Sequence, residues 1–188
     1  SIDTLDNIYT AALQTYSCCC GTYSVITYAK FDSSNNNSYW KYLSNITPYA
    51  GIGSQIATAV DGSGDVYIGF VVDYTTFVVV KIDSATGSTV NNKVAFTFNS
   101  YSDGYSRISD MKIDSNGNLI IVGGASSAGT PVGFVVKYNF SSGNIWQKFL
   151  AGEATQANNY WTSCCLDSSD YIYVCSGNYN NRQNSIAK

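Results

Sequence analysis

The chain has 188 residues, 45% hydrophobic and 12% charged, with a formal net charge of −3 and no histidine. That length suits one ordinary domain with a core of its own. Ten Lys and Arg spread along the whole length give no basic surface for nucleic acid, and no apolar run approaches the roughly 20 residues of a membrane-spanning helix.

Short β-branched and aromatic runs, separated by Gly, Asn, Asp and Ser clusters, read as strands and turns throughout. In the first unit, residues 7–13, 24–31 and 39–43 are predicted strands, and a loop over 15–23 holds Cys18, Cys19 and Cys20. A second unit has strands over 56–60, 66–72, 76–82 and 94–98. The third is the most regular, with strands over 108–113, 119–122, 133–138 and 145–150. A fourth unit has strands over 161–166, 171–175 and 184–188. Apolar alternation predicts burial of Val66, Ile68, Val78, Val80, Leu119, Ile121, Val135 and Ile145 between units.

The stretch Ile113-Asp-Ser-Asn-Gly-Asn-Leu-Ile-Ile-Val-Gly-Gly124 organises the third unit, and altered copies begin the others. Asp and Asn bond their own backbone in a turn, and Gly accepts positive φ. The leading Asp recurs as Asp3, Asp61, Asp114 and Asp167, in steps of 58, 53 and 53. A second landmark, Lys30, Lys81, Lys137 and Lys188, steps by 51, 56 and 51. Four short strands every fifty or so residues is the period of a propeller blade. The expected fold is therefore all-β: a β-propeller segment of four-stranded antiparallel blades, about three and a half to four of them. They cover approximately 1–50, 51–102, 103–155 and 156–188, as one segment. The first blade lacks its first strand, the last lacks its fourth, and the only Met is Met111, so a longer parent chain is expected.

The chain resembles the bacterial and phage β-propeller repeat family, whose blades read D-x-x-G-N-x-Y-V-x-G, then F-V-x-K-Y, then S-G-x-x-x-W. The matches are Asp114, Gly117, Asn118 and Gly123, then Phe134, Val135, Lys137 and Tyr138, then Ser142, Gly143 and Trp146. The resemblance covers nearly the whole chain. Asp6 replaces the turn Gly in the first unit, Ser169 or Asp170 replaces it in the fourth, and Val90 stands near the Trp position in the second. The resemblance implies an extracellular or virion-surface protein, mostly without enzymatic activity.

Long connections fall at one end of the blades, where binding usually sits on a rigid scaffold. They run over 15–23, 44–54, 100–107, 125–131 and 151–160, and they supply Tyr49, Tyr101, Tyr105, Asn158, Asn159 and Tyr160 as a contact face for a glycan or a protein. Asp61-x-Ser63-x-Asp65 and Asp114-x-Asn116-x-Asn118 have the spacing of calcium loops, but Glu153 is the only Glu and no acidic ligand follows them. They read as tight turns, and neither a metal nor a cofactor is expected. With no His, a Ser–His or Cys–His pair cannot form within the chain. Asp73, Asp103 and Asp110 are the acids outside turns; Asp110, on an innermost strand, reads as a charge solvated in a central channel.

Sequons at Asn36, Asn45 and Asn139 are candidate glycosylation sites. The six cysteines Cys18, Cys19, Cys20, Cys164, Cys165 and Cys175 include no C-x-x-C pair and read as disulfide candidates, the first three towards a partner chain. Pairing Leu166 with Tyr171 would place Cys164 opposite Tyr173 and Cys175 diagonal to Cys164. The expected function is a non-enzymatic structural or adhesive module of an extracellular filament, surface appendage or virion fibre, with other protein subunits as partners. The alternatives are a lectin-like propeller that binds a glycan or protein, and a polysaccharide-active propeller whose acids lie outside this segment. Neither nucleic acid nor membrane insertion is expected.

Overall fold

The computed structural model describes residues 1–19, 21–34, 36–43, 55–72, 76–97, 106–127, 130–151, 160–177 and 184–187. Among them are fourteen strands and no helix. They are β1 (Ile8–Cys18), β2 (Gly21–Phe31), β3 (Asn37–Tyr42), β4 (Ala57–Val60), β5 (Val66–Val71), β6 (Thr76–Ile82), β7 (Thr89–Thr97), β8 (Arg107–Ile113), β9 (Leu119–Ser127), β10 (Thr130–Asn139), β11 (Gly143–Ala151), β12 (Tyr160–Leu166), β13 (Ile172–Gly177) and β14 (Asn184–Ala187). Strands consecutive in sequence are antiparallel neighbours in four up-and-down sheets: β1–β3, β4–β7, β8–β11 and β12–β14.

The sheets stack in chain order, and the second and third each bury one face on their predecessor and the other on their successor. Successive side chains along a strand point to opposite faces, so each strand of a middle sheet must be apolar at nearly every position. β5 is such a strand: all six residues are buried. Val66, Ile68 and Phe70 pack on Tyr9, Ile26, Tyr28 and Leu43 of the first sheet. Tyr67 and Val71, with Phe77 and Val79, pack on Ile108, Met111, Leu119, Ile121, Phe134 and Val136 of the third. The third sheet turns Ile120, Val122 and Val135 to Trp161, Cys164 and Val174 of the fourth. Each such side chain, fully buried, contributes about 1.5–3 kcal/mol. We call the face towards the next sheet forward and the opposite face rear.

Two glycines permit close approach. A Cβ on Gly133 would lie 2.3 Å from Nε1 of Trp161, and one on Gly123 would lie 2.1 Å from the backbone oxygen of Arg107. The first lets the Trp161 ring lie against the third sheet, and the second lets β8 pair closely with β9.

Seven of the eight predicted core residues are buried, and Ile145 is the exception at 49% exposed. The cause is a recurring bulge. Lys137 pairs with Trp146 and Tyr138 with Asn144, so Ile145 is the extra residue. Ser38 is skipped in the same way after Lys30, and Val90 after Lys81. A bulge leaves its extra residue unpaired and bends the strand. It also places Asn91, not Val90, at the Trp position of the second unit.

Two predicted long loops are hairpin arms instead. β1 and β2 stay paired out to Cys18 and Gly21, and β9 and β10 out to Ser127 and Thr130. The Thr- and Ser-rich segments there are polar, yet their backbone groups are satisfied by the ladder.

Candidate functional site

The most regular polar feature is the turn that follows the first-strand position of each unit. In the third sheet, Oδ1 of Asp114 accepts the N–H groups of Asn116 and Asn118 at 2.9 and 2.8 Å. Oδ1 of Asp3 accepts those of Leu5 and Asn7, Asp61 those of Ser63 and Asp65, and Asp167 those of Ser169 and Tyr171. The residue three after the Asp has positive φ in every copy: Asp6 at 60°, Gly64 at 85°, Gly117 at 76° and Asp170 at 61°. The fourth unit therefore puts Asp170, not Ser169, in the Gly position. These are the tight turns the sequence predicts, and their carboxylates are already occupied by N–H donors.

The outer carboxylate oxygen carries a second contact that sequence reading missed. The hydroxyls of Tyr9, Tyr67 and Tyr173 donate to Oδ2 of Asp3, Asp61 and Asp167 at 2.9, 3.1 and 2.9 Å. An Asp-x5-Tyr spacing in three of the four units was its signal. Burial and the neighbouring carboxylate push the Tyr9 phenol well above its ordinary range. The third unit has Ile120 at this position and uses a cation instead: Nζ of Lys137 lies 2.6 Å from Oδ2 of Asp114, whose side chain is 1% exposed. Burial alone would raise the Asp114 carboxyl; the donors from Lys137 and Asn118 override it and hold it below the ordinary value.

Asp110 is tied in, not solvated. A bulge at Ser109 re-aims it forward. Oδ1 accepts the Met111 N–H and Nζ of Lys112, both at 2.8 Å. Oδ2 accepts the Ser163 hydroxyl at 2.9 Å and the Cys164 N–H at 3.0 Å, both from the fourth sheet. Burial pushes its pKa up, but Lys112, Cys164 and Ser163 outweigh that and leave it lowered. A general base needs an accessible lone pair, and a general acid a proton. A carboxylate filled by four donors offers neither; this one fastens the third sheet to the fourth. Asp73 and Asp103 lie outside the described residues.

The cysteines separate by face. Cys164 points rearward into the core, and burial, reinforced by Asp110, pushes its thiol up to about 12. Cys165 is exposed and Cys175 part-buried; no disulfide joins Cys19, Cys164, Cys165 or Cys175. The register differs by one residue from that expected: Leu166 pairs with Ile172, Cys164 with Val174, and Ser163 with Cys175. Cys165 and Cys175 therefore share the forward face. Cys19 is exposed, Cys18 ends β1, and Cys20 lies outside the described residues.

Of the predicted contact face, Tyr49, Tyr101, Tyr105, Asn158 and Asn159 lie outside the described residues, and Tyr160 opens β12 opposite Gly177. Asn45 is also outside them. Asn36 is exposed, with its amide 3.3 Å from Oδ2 of Asp32. The Asn139 side chain is engaged: its amide donates to Asn118 and its oxygen accepts the N–H groups of Ser141 and Ser142. Among the described residues no group of three or more Cys, Asp or Glu is placed to hold a metal ion. No family model matches this chain, and no curated protein matches it.

Proposed function

We propose that the chain is a non-enzymatic structural or adhesive β-propeller module of an extracellular assembly: a filament, surface appendage or virion fibre. The observation that carries this reading is the stack itself. Each junction joins a forward face to a rear face, and the first strands β4, β8 and β12 adjoin one another more extensively than the last strands β7 and β11 do. Sheets fanned about their first strands are the geometry of blades around an axis. The use of the acids supports a non-enzymatic role. Asp3, Asp32, Asp83, Asp110 and Asp114 are all held below the ordinary carboxyl range by hydrogen bonds they accept, and none is poised as a proton donor.

The test is to offer the purified chain a panel of bacterial and host polysaccharides, assay reducing-end release, and screen a glycan array in parallel. The expected result is neither turnover nor glycan retention, with ring or arc particles in negative-stain images. Turnover abolished by Asp110→Asn would establish the enzyme reading in its place. Saturable glycan binding would establish the lectin-like one.

A further inference from the structure

The second and third strands of each unit, β1–β2, β5–β6, β9–β10 and β13–β14, pair without a break in register. Among the described residues, every break joins a first or a fourth strand to its neighbour. We propose that the fourth strands β3, β7 and β11 are guarded edges, which refuse pairing with an extended strand of a second copy of this chain.

The guard has two parts, and each occurs three times. The first is the bulge, whose extra residue is Ser38 in β3, Val90 in β7 and Ile145 in β11. All three are exposed, so these bulges turn no side chain into the core. The bulge at Ser109 differs, since it aims Asp110 at the fourth sheet. The second part is a lysine three residues further on: Lys41, Lys93 and Lys148. No Asp or Glu stands in any of the three strands to neutralise it.

Such edges need a guard. Each of β3, β7 and β11 pairs on one side only among the described residues. The other side is a row of N–H and C=O groups, the template on which a further strand adds. Val90 at 57% and Ile145 at 49% exposure put β-branched side chains on two of these strands, and a flat apolar edge is an aggregation site. An extra residue interrupts the alternation of outward backbone groups and bends the strand. A regular incoming strand therefore keeps its register on one side of the bulge only. The lysine acts on what remains of the ladder. A second copy adding β11 to β11 brings two Lys148 ammonium groups onto one short ladder, and like charges set opposite one another are destabilising.

The test is made on β11 in the 188-residue chain. Deletion of Ile145 joins the Lys137–Trp146 and Tyr138–Asn144 pairs into one unbroken ladder. Lys148→Thr removes the charge and keeps strand propensity. Assembly is followed at neutral pH by light scattering and thioflavin fluorescence, with hydrogen exchange on the product. The double variant should assemble at least about tenfold faster than wild type, and Lys148→Thr alone at least about twofold faster. The β11 amides should gain protection while those of β5 and β9 keep theirs. Ile145→Ala retains the bulge and should match the wild type. If the deletion abolishes cooperative melting, Lys148→Thr decides alone. A folded double variant as disperse as wild type overturns the proposal, as does a Lys148→Thr rate equal to wild type. Assembly in which β5 and β9 lose protection overturns it too, because it proceeds through unfolded chain. The guard needs the four sheets and not their closure into a propeller, so its failure leaves the module reading in place.

Discussion

Asp114→Ala tests the turn that organises each unit. The Asp114 carboxylate is 1% exposed and sits 2.6 Å from Lys137. It also accepts two backbone N–H groups and the Asn118 amide, at 2.8–3.1 Å. Removing it strands an ammonium that is itself only 22% exposed. Breaking a buried pair by deleting one partner costs about 3–5 kcal/mol, and the residual exposure of Lys137 argues for the lower end. With 2–4 °C lost per kcal/mol for a chain of this size, the melting temperature should fall by roughly 6–12 °C. Asp114→Asn keeps the oxygen that accepts the backbone N–H groups but loses the charge and the acceptor facing Lys137, so it should cost less than alanine, about 1.5–3 kcal/mol. The sign with pH follows from the lowered pKa. The stabilisation is complete above the ordinary value of 3.8 and is lost as pH falls through the folded value. The wild type should lose stability below about pH 4, and Asp114→Asn should lose less of it. Urea melts followed by tryptophan fluorescence measure each variant. An Asp114→Ala cost under about 1 kcal/mol, with unchanged denaturant slope, would refute the buried-pair argument.

Glycine substitutions should diverge: Gly123→Ala drives a Cβ into the Arg107 backbone and should cost about 3 kcal/mol. Gly62→Ala meets nothing within 4 Å and should stabilise by about 0.4–1 kcal/mol; equal melting points for the two would contradict the β8–β9 pairing. Ile121→Ala should cost about 2–5 kcal/mol, while Ile145→Ala, at a bulge, should stay within about 0.5 kcal/mol; the reverse order would restore Ile145 to the core. In the folded chain an aromatic disulfide reagent should modify Cys165 and spare Cys164 until the chain unfolds, as peptide mapping would show; equal rates would exclude a buried Cys164.

Strands were legible where apolar content was dense, and turns where Asp, Asn and Gly kept their spacing. Val66 to Val71 could hardly be anything but a strand buried on both faces. The hairpin arms around Cys18 and Ser127 were not legible, because Thr, Ser and Gly read as loop when no apolar partner marks them. The bulge after Lys137 was hidden for another reason. Period-two counting continues across it, so Ile145 falls on the buried face by count and on the exposed face in fact. Asp110 shows the hard limit. Its decisive donors stand 53 and 54 residues away on the next sheet, and nothing local announces them. The Asp-x5-Tyr clasp, by contrast, was in plain view.

The same contrast accounts for why the sheets keep their order. Val, Ile and Phe faces are broadly interchangeable, since apolar burial is non-directional. Direction comes from polar ties between unlike positions. Tyr28, Lys30 and Lys41 of the first sheet donate to the carbonyl groups of Gly87, Ser84 and Thr86 in the second. Asp110 of the third takes donors from Ser163 and Cys164 of the fourth, and Ser115 donates to Asp170 across the same junction. The second–third junction is marked by rings: Phe77 meets Phe134 edge-on at 5.1 Å, and Tyr67 meets Phe140 at 5.5 Å. Alanine stands at position 57, the second-sheet counterpart of Asp110, so these ties are not shared by the repeats. A third sheet docked on a rear face without Ser163 would leave Oδ2 of Asp110 short of its side-chain donor, and an unsatisfied buried acceptor costs about 1–3 kcal/mol. Repetition thus builds the sheets, and departures from the repeat decide which sheet lies next to which.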